Sequence, residues 1–104
     1  MSDNAVVEYE MGYAADEFGK VLNGEFTGEK SPFRCHLLAV HHWSVEHESG
    51  DFSLEISVTE QPPRKIALFS LPVLKVVFNF QSADDVLRKQ FFHRFHQYFH
   101  KGGG

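Results

Sequence analysis

The sequence predicts an α+β fold, a two-layer sandwich in which an antiparallel sheet of four to five strands carries two helices on one face. Three observations support this prediction. Residues 52–59 alternate apolar and polar side chains, as a strand does when one face meets a core and the other meets water. The C-terminal segment carries a wide apolar stripe at helical spacing. Several strand-like segments lie between two helical ones, which gives the order β-α-β-β-β-β-α.

Length and composition favour one domain over residues 1–104, with disordered ends at about 1–3 and 101–104. The chain is 42% apolar and contains 11 phenylalanines, which excludes a disordered chain. It has no apolar run near the ~20 residues needed to span a bilayer, and its start does not resemble a secretory signal. The single Cys35 cannot form an intramolecular disulfide. We therefore expect a cytoplasmic location, and the composition is typical of short bacterial proteins.

The first half begins with a predicted strand at 5–10, where Val7 and Tyr9 alternate with glutamates. A helix is expected in the following segment, because Phe18 and Leu22 lie at helical spacing. Residues 34–48 are rich in strand-forming side chains and contain no proline or glycine, so they predict one long strand. A bulge near His41–His42 would keep Trp43 and Val45 on its core face. The turn signal around Gly50 then joins this strand to the one at 52–59 in a hairpin.

In the second half the prolines of "EQPPR" predict a break after 52–59. The segment "KIALFSL", 65–71, predicts a further strand that ends in a turn at Pro72. Residues 74–80 alternate again and predict the last strand. The final helix is expected to start at Ser82 as its cap. Its apolar stripe should lie on the sheet and supply much of the core.

Charge is distributed unevenly along the chain. Residues 1–60 have a net charge of -9 and residues 61–104 a net charge of +5. The two halves either neutralise each other across the fold or form a bipolar surface that steers a charged partner. Because the isoelectric point is about 5.9, nucleic acid is an improbable partner.

Three histidines of the final helix, His93, His96 and His100, share one face opposite the apolar stripe. Side chains at i,i+3 or i,i+4 can share a metal, and zinc, nickel or copper are the candidates. The first and last of these histidines stand two turns apart, so a site for one ion would need outside ligands. A solvated helix face, a protein contact and a pH-sensing role are the other interpretations.

A second group of candidates lies in the long predicted strand. His41, His42 and Trp43 could line a ligand pocket, because a titrating group beside an aromatic wall can mark a site. Surface or half-buried histidines are the plainer interpretation. Cys35 lies beside His36, but adjacent side chains of a strand point to opposite faces, which disfavours a catalytic pair. No nucleophile-elbow, phosphate-loop or dinucleotide motif is present.

Three functions remain open from the sequence. The first is a non-catalytic protein-interaction or binding module that self-associates, with a homodimer as the expected assembly; an excess of aromatic residues and the open edge of "KIALF" favour it. The second is a histidine-based metal-binding protein. The third is a small enzyme or ligand carrier with a pocket between sheet and helices. No membrane association is expected.

Overall fold

The computed structural model describes residues 5–26 and 30–99 of the chain, with backbone alone at 25 and 26. Within them an antiparallel sheet and two helices form the predicted α+β fold, and the predicted order of elements is confirmed. The predicted disordered ends lie outside the described residues. The elements are β1 (Ala5–Met11), α1 (Ala15–Val21), a π-helical turn (Leu22–Phe26), β2 (Phe33–Ala39), β3 (His42–His47), β4 (Phe52–Ile66), β5 (Phe69–Ala83) and α2 (Asp85–Tyr98).

The five strands lie in the order β1-β5-β4-β3-β2, and every neighbouring pair is antiparallel. β4 is the central strand, and β4 and its neighbour β5 are the two longest strands, at 15 residues each. The two edge strands are therefore the first and second strands of the chain. None of the helices in the described part of the chain is long and apolar enough to cross a membrane.

The core lies between the sheet and the helices and is built largely from phenylalanine. Phe91 and Phe95 of α2 are fully buried over Phe78 of β5, with ring centroids 5.9 and 5.1 Å from the Phe78 ring. Phe18 of α1 joins this cluster, 4.7 Å from Phe99. Each such side chain contributes roughly 1.5–3 kcal/mol on burial. The apolar stripe predicted for the last helix is thus confirmed as the cover of the sheet.

The predicted long strand at 34–48 is wrong, because the chain reverses at Val40–His41. The two halves, β2 and β3, pair with each other, with Leu37 opposite Trp43. His41 adopts a left-handed conformation at φ 60°, which is uncommon outside glycine, although histidine is one of the residue types found there more often. The predicted bulge is replaced by this turn, yet Trp43 and Val45 still lie on the core face, as expected.

The predicted break at "EQPPR" and the strand "KIALFSL" are also wrong. β4 continues past the prolines to Ile66, and β5 begins at Phe69, so Ala67–Leu68 form a two-residue turn in the middle of "KIALFSL". Pro72 lies within β5 rather than in a turn. The number of strands agrees with the prediction, but their boundaries do not.

The last helix starts later than predicted, at Asp85 and with a cap other than Ser82. β5 runs through Ser82 to Ala83, and Asp84 caps α2 by accepting hydrogen bonds from the N–H groups of Val86 and Leu87 at 2.7 and 3.4 Å.

In α1 the buried Gly19 lies under Trp43, where an added Cβ would stand 3.3 Å from the indole ring. This close approach explains a glycine inside a helix.

Candidate functional site

The hairpin of β4 and β5 extends beyond the rest of the sheet. The last partner of β3 on β4 is Ser57, opposite His42, and the last partner of β1 on β5 is Leu74, opposite Met11. The hairpin continues past both points as residues 61–73, which we call the arm. It reaches about 20 Å from its base to its turn, at ~3.3 Å per residue.

The arm is exposed on both faces. Every residue from 62 to 72 is exposed, and the described elements leave no apolar layer over them. Leu68 is 100% exposed and Phe69 71% exposed, values that are unusual for large apolar side chains in a folded domain. Ile66, at 53%, stands opposite Phe69 beside the turn. We call residues 66–69 the arm tip.

Prolines and a strained turn shape the arm. The pairing register shifts between Gln61 and Arg64, so the two prolines between them lie at a bulge, a position that tolerates a residue without an N–H group. At the tip Ala67 has φ 54°. An alanine in this region costs more than a glycine would, so the turn is held by the pairing of the strands on either side.

The arm is basic as well as apolar. Residues 61–73 contain Arg64 and Lys65 and no carboxylate. Arg64 donates to Glu10 of β1 at 3.2 Å and so joins the base of the arm to the edge strand. Lys65 forms no ion pair with any residue that the structure describes. The arm tip therefore presents apolar side chains beside one uncompensated positive charge.

A groove of about 710 Å³ lies where the arm leaves the sheet. Five consecutive residues of the chain from Glu8 to Gly12 line it, so it follows the edge strand β1. The residues Leu71, Pro72 and Val73 form the arm side. His96 and Phe99 approach from the end of α2. Its wall is mainly apolar. Glu8 and Glu10 stand at its rim as exposed carboxylates, and each has a cation beside it, Lys75 at 3.7 Å from Glu8 and Arg64 at 3.2 Å from Glu10.

His41, His42 and Trp43 follow one another at the β2–β3 turn and the start of β3. His41 lies in the β2–β3 turn, and neither this groove nor the smaller one described below is lined by any of the three. His42 lies on the outer face of the sheet, the face without helices, where its Nε2 is 2.9 Å from Oε1 of Glu55. Gln81 also donates to Glu55, at 2.6 Å, and these two bonds hold the Glu55 pKa below its usual value, with the Gln81 bond as the larger cause.

Trp43 lies on the opposite, covered face. It is 3% exposed and packs 5.8 Å from Phe18 between ring centroids. Its indole Nε1 has no hydrogen-bond partner among the described residues. Trp43 is thus part of the core, and its role as a pocket wall beside His41 and His42 stays a prediction.

The histidines of α2 point into two different grooves. His96 lies over the β1 edge, 5.8 Å from the Tyr9 ring, and lines the large groove. His93 lines a smaller groove of about 410 Å³ near Pro32 and Phe33, towards the other edge of the sheet. His100 lies outside the described residues. Nowhere in the described ranges do three or more histidine, cysteine or acidic side chains come together as a metal site would require.

Cys35 is half-buried, and its nearest described polar contact is Oδ1 of Asn23 at 3.8 Å. Burial raises the pKa of its thiol to about 11. At neutral pH the side chain is therefore the protonated thiol, which is a poor nucleophile. This setting agrees with the sequence argument against a Cys35–His36 pair.

Comparison of the chain with protein-family models, with curated proteins and with solved structures finds no match. The geometry of the chain itself therefore carries the functional argument.

The arm is the feature that sequence reasoning missed. The prolines at 62, 63 and 72 predict breaks, although prolines also occur at bulges and on strands with a free side. A signal was present in the uninterrupted series of strand-forming residues on both sides of these prolines. The turn itself, Ala67–Leu68, contains none of the glycine or asparagine that usually marks a two-residue hairpin.

Proposed function

We propose that the protein is a non-catalytic interaction module that self-associates through the arm. The observation that carries this proposal is the exposure of Leu68 and Phe69 at the end of a hairpin that projects beyond its own sheet. A folded domain keeps such side chains in water at a cost, unless a partner covers them. A second copy is the expected partner, because two-fold homodimers are the commonest assemblies of soluble chains.

The free energy gained by burying the arm tip can be converted into an effect on the dissociation constant of a dimer. Burial of one leucine or phenylalanine side chain is worth roughly 1.5–3 kcal/mol, and 1.4 kcal/mol corresponds to about a tenfold change in dissociation constant. Two arms that cover each other bury four such side chains, in addition to those of Ile66. A few anchors of this kind supply most of the free energy in typical interfaces.

Sedimentation velocity over a range of concentrations tests the proposal. The unsubstituted protein is expected to form a dimer that dissociates on dilution. The double variant Leu68→Asp/Phe69→Asp should weaken the dimer by about 100-fold or more, because it removes two anchors and places charge between them. Val86→Asp is the matched control, because Val86 is 61% exposed on α2, away from the arm.

The proposal fails if the unsubstituted protein is a monomer at every concentration. It also fails if the double variant dimerises as tightly as Val86→Asp. Far-ultraviolet circular dichroism and the urea midpoint should show that both variants keep the fold, since each substituted side chain is exposed.

A further inference from the structure

The arm has a free side, and the large groove lies at the foot of that side. β1 ends at Met11, opposite Leu74, so residues 69–73 of β5 pair with β4 on one side and have no strand among the described residues on the other. The space that β1 would fill if it were longer is therefore open. The groove occupies the near end of this space, between the last residues of β1 and the arm.

The chemistry of the groove matches that of the arm tip. Tyr9, Met11 and Val73 contribute to an apolar wall, and Glu8 and Glu10 place carboxylates at the rim. The tip carries large apolar side chains, and Lys65 next to it has no carboxylate partner in the described part of the chain. The apolar tip would thus meet an apolar wall, and Lys65 would meet a rim on which two carboxylates already neighbour Arg64 and Lys75, so the match between the two surfaces is mainly apolar.

A two-fold symmetric dimer allows the arm tip of each copy to contact the groove of the other at the same time. Each copy carries one tip and one groove, and the distance between them is the length of the arm. Two arms lying side by side in opposite directions therefore place each tip at the base of the other. This arrangement is isologous and closed, so it ends at a dimer and does not propagate into a fibre.

We propose that the groove at the base of the arm receives the arm tip of a second copy of the chain, reciprocally about a two-fold axis near the middle of the two arms. This inference rests on the self-association proposed above and names the surface that the arm contacts. Pro72 lacks an N–H donor, so a complete backbone ladder between the arms is excluded. The contact is therefore made mainly by side chains at the two ends.

Site-directed cross-linking tests which surface the tip meets. In a Cys35→Ser background, Ser70→Cys places a thiol beside the tip and leaves its apolar side chains intact, and Glu8→Cys places one at the groove rim. Both positions are exposed. One of the two variants carries a size tag, the two are mixed, and a short bis-maleimide reagent is added. The matched control replaces Glu8→Cys by Asp51→Cys, an exposed position just before β4, at the far end of the sheet from the arm.

The expected product is a covalent dimer with one tagged and one untagged copy from the Ser70→Cys and Glu8→Cys mixture. We expect its yield to be at least about tenfold higher than that from the Ser70→Cys and Asp51→Cys mixture, or from Ser70→Cys alone. A high yield from Ser70→Cys alone would show tip-to-tip contact and overturn the inference. So would equal yields with Glu8→Cys and Asp51→Cys.

Sedimentation of the same samples separates the two proposals. If the unsubstituted protein is a dimer and the Ser70→Cys and Glu8→Cys mixture does not cross-link, the groove is the wrong surface but self-association stands. If sedimentation shows a monomer at all concentrations, both proposals are wrong.

Discussion

One pair of strands passes through two environments in this protein. Between Phe52 and Val58, and again between Leu74 and Phe80, β4 and β5 alternate buried and less buried residues under the phenylalanines of α2. In the arm, the same two strands are exposed on both faces, although large apolar residues continue to its tip. Strand pairing is thus common to both regions, and what differs is whether a helix covers them. The covered part builds a core, whereas the arm leaves an apolar surface for a partner.

Truncation of one phenylalanine in each region should give the largest contrast. Phe91→Ala, in the cover, should lower the free energy of unfolding by about 3–5 kcal/mol, because the side chain is fully buried and leaves a cavity. Phe69→Ala, in the arm, should change it by less than about 0.5 kcal/mol in the monomer. Urea denaturation at concentrations below the dimer range measures both. A comparable loss in the two variants would contradict the distinction between covered sheet and arm.

An intermediate effect is expected at the junction of β5 and α2, where the chain leaves the sheet and begins the helix that covers it. Asp84→Ala should cost about 1 kcal/mol, because two N–H groups at the start of α2 lose their acceptor. Asp85→Ala is the matched control, since Asp85 lies in the first turn but is not the cap, and its loss affects only the helix dipole. Urea denaturation measures the free energy of unfolding of both variants, and equal losses would show that the Asp84 cap does not stabilise α2.

The smallest effect concerns the outer face of the covered part. The bonds from Gln81 and His42 hold the pKa of Glu55 below its usual value in the folded protein. A lowered folded pKa stabilises the protein above the unfolded pKa, and this contribution is lost as the pH falls through the folded value. The stability difference between the unsubstituted protein and Glu55→Gln should therefore be constant above about pH 4.5 and shrink below it.

Gln81→Ala tests the cause of that pH dependence. Because the Gln81 bond is the larger cause, its removal should weaken the dependence while Glu55 is still present. Thermal unfolding followed between about pH 3 and pH 7 measures the three proteins. A difference between the unsubstituted protein and Glu55→Gln that does not change with pH would contradict the assignment.

The three hairpin turns show why some boundaries were predictable and others were not. The turn before β4 contains Gly50, at φ 86°, and the sequence predicts it, because glycine adopts this conformation readily. The turns at Val40–His41 and Ala67–Leu68 impose positive φ on His41 and Ala67. Neither turn contains the glycine or asparagine that usually marks a two-residue hairpin, so the sequence predicts continuous strands there.

The sequence by itself determined the α+β class, the aromatic stripe of α2 and the strand faces that form the core, including Trp43 and Val45. These follow from local periodicity, since burial of one face repeats every two residues in a strand and every 3.6 in a helix. Only the tertiary structure decided where β2 turns into β3, how far the arm projects past Met11 and His42, and that His93 and His96 enter different grooves. Those features depend on how strands pair and helices pack against one another, a relation between segments that no periodicity within one segment encodes.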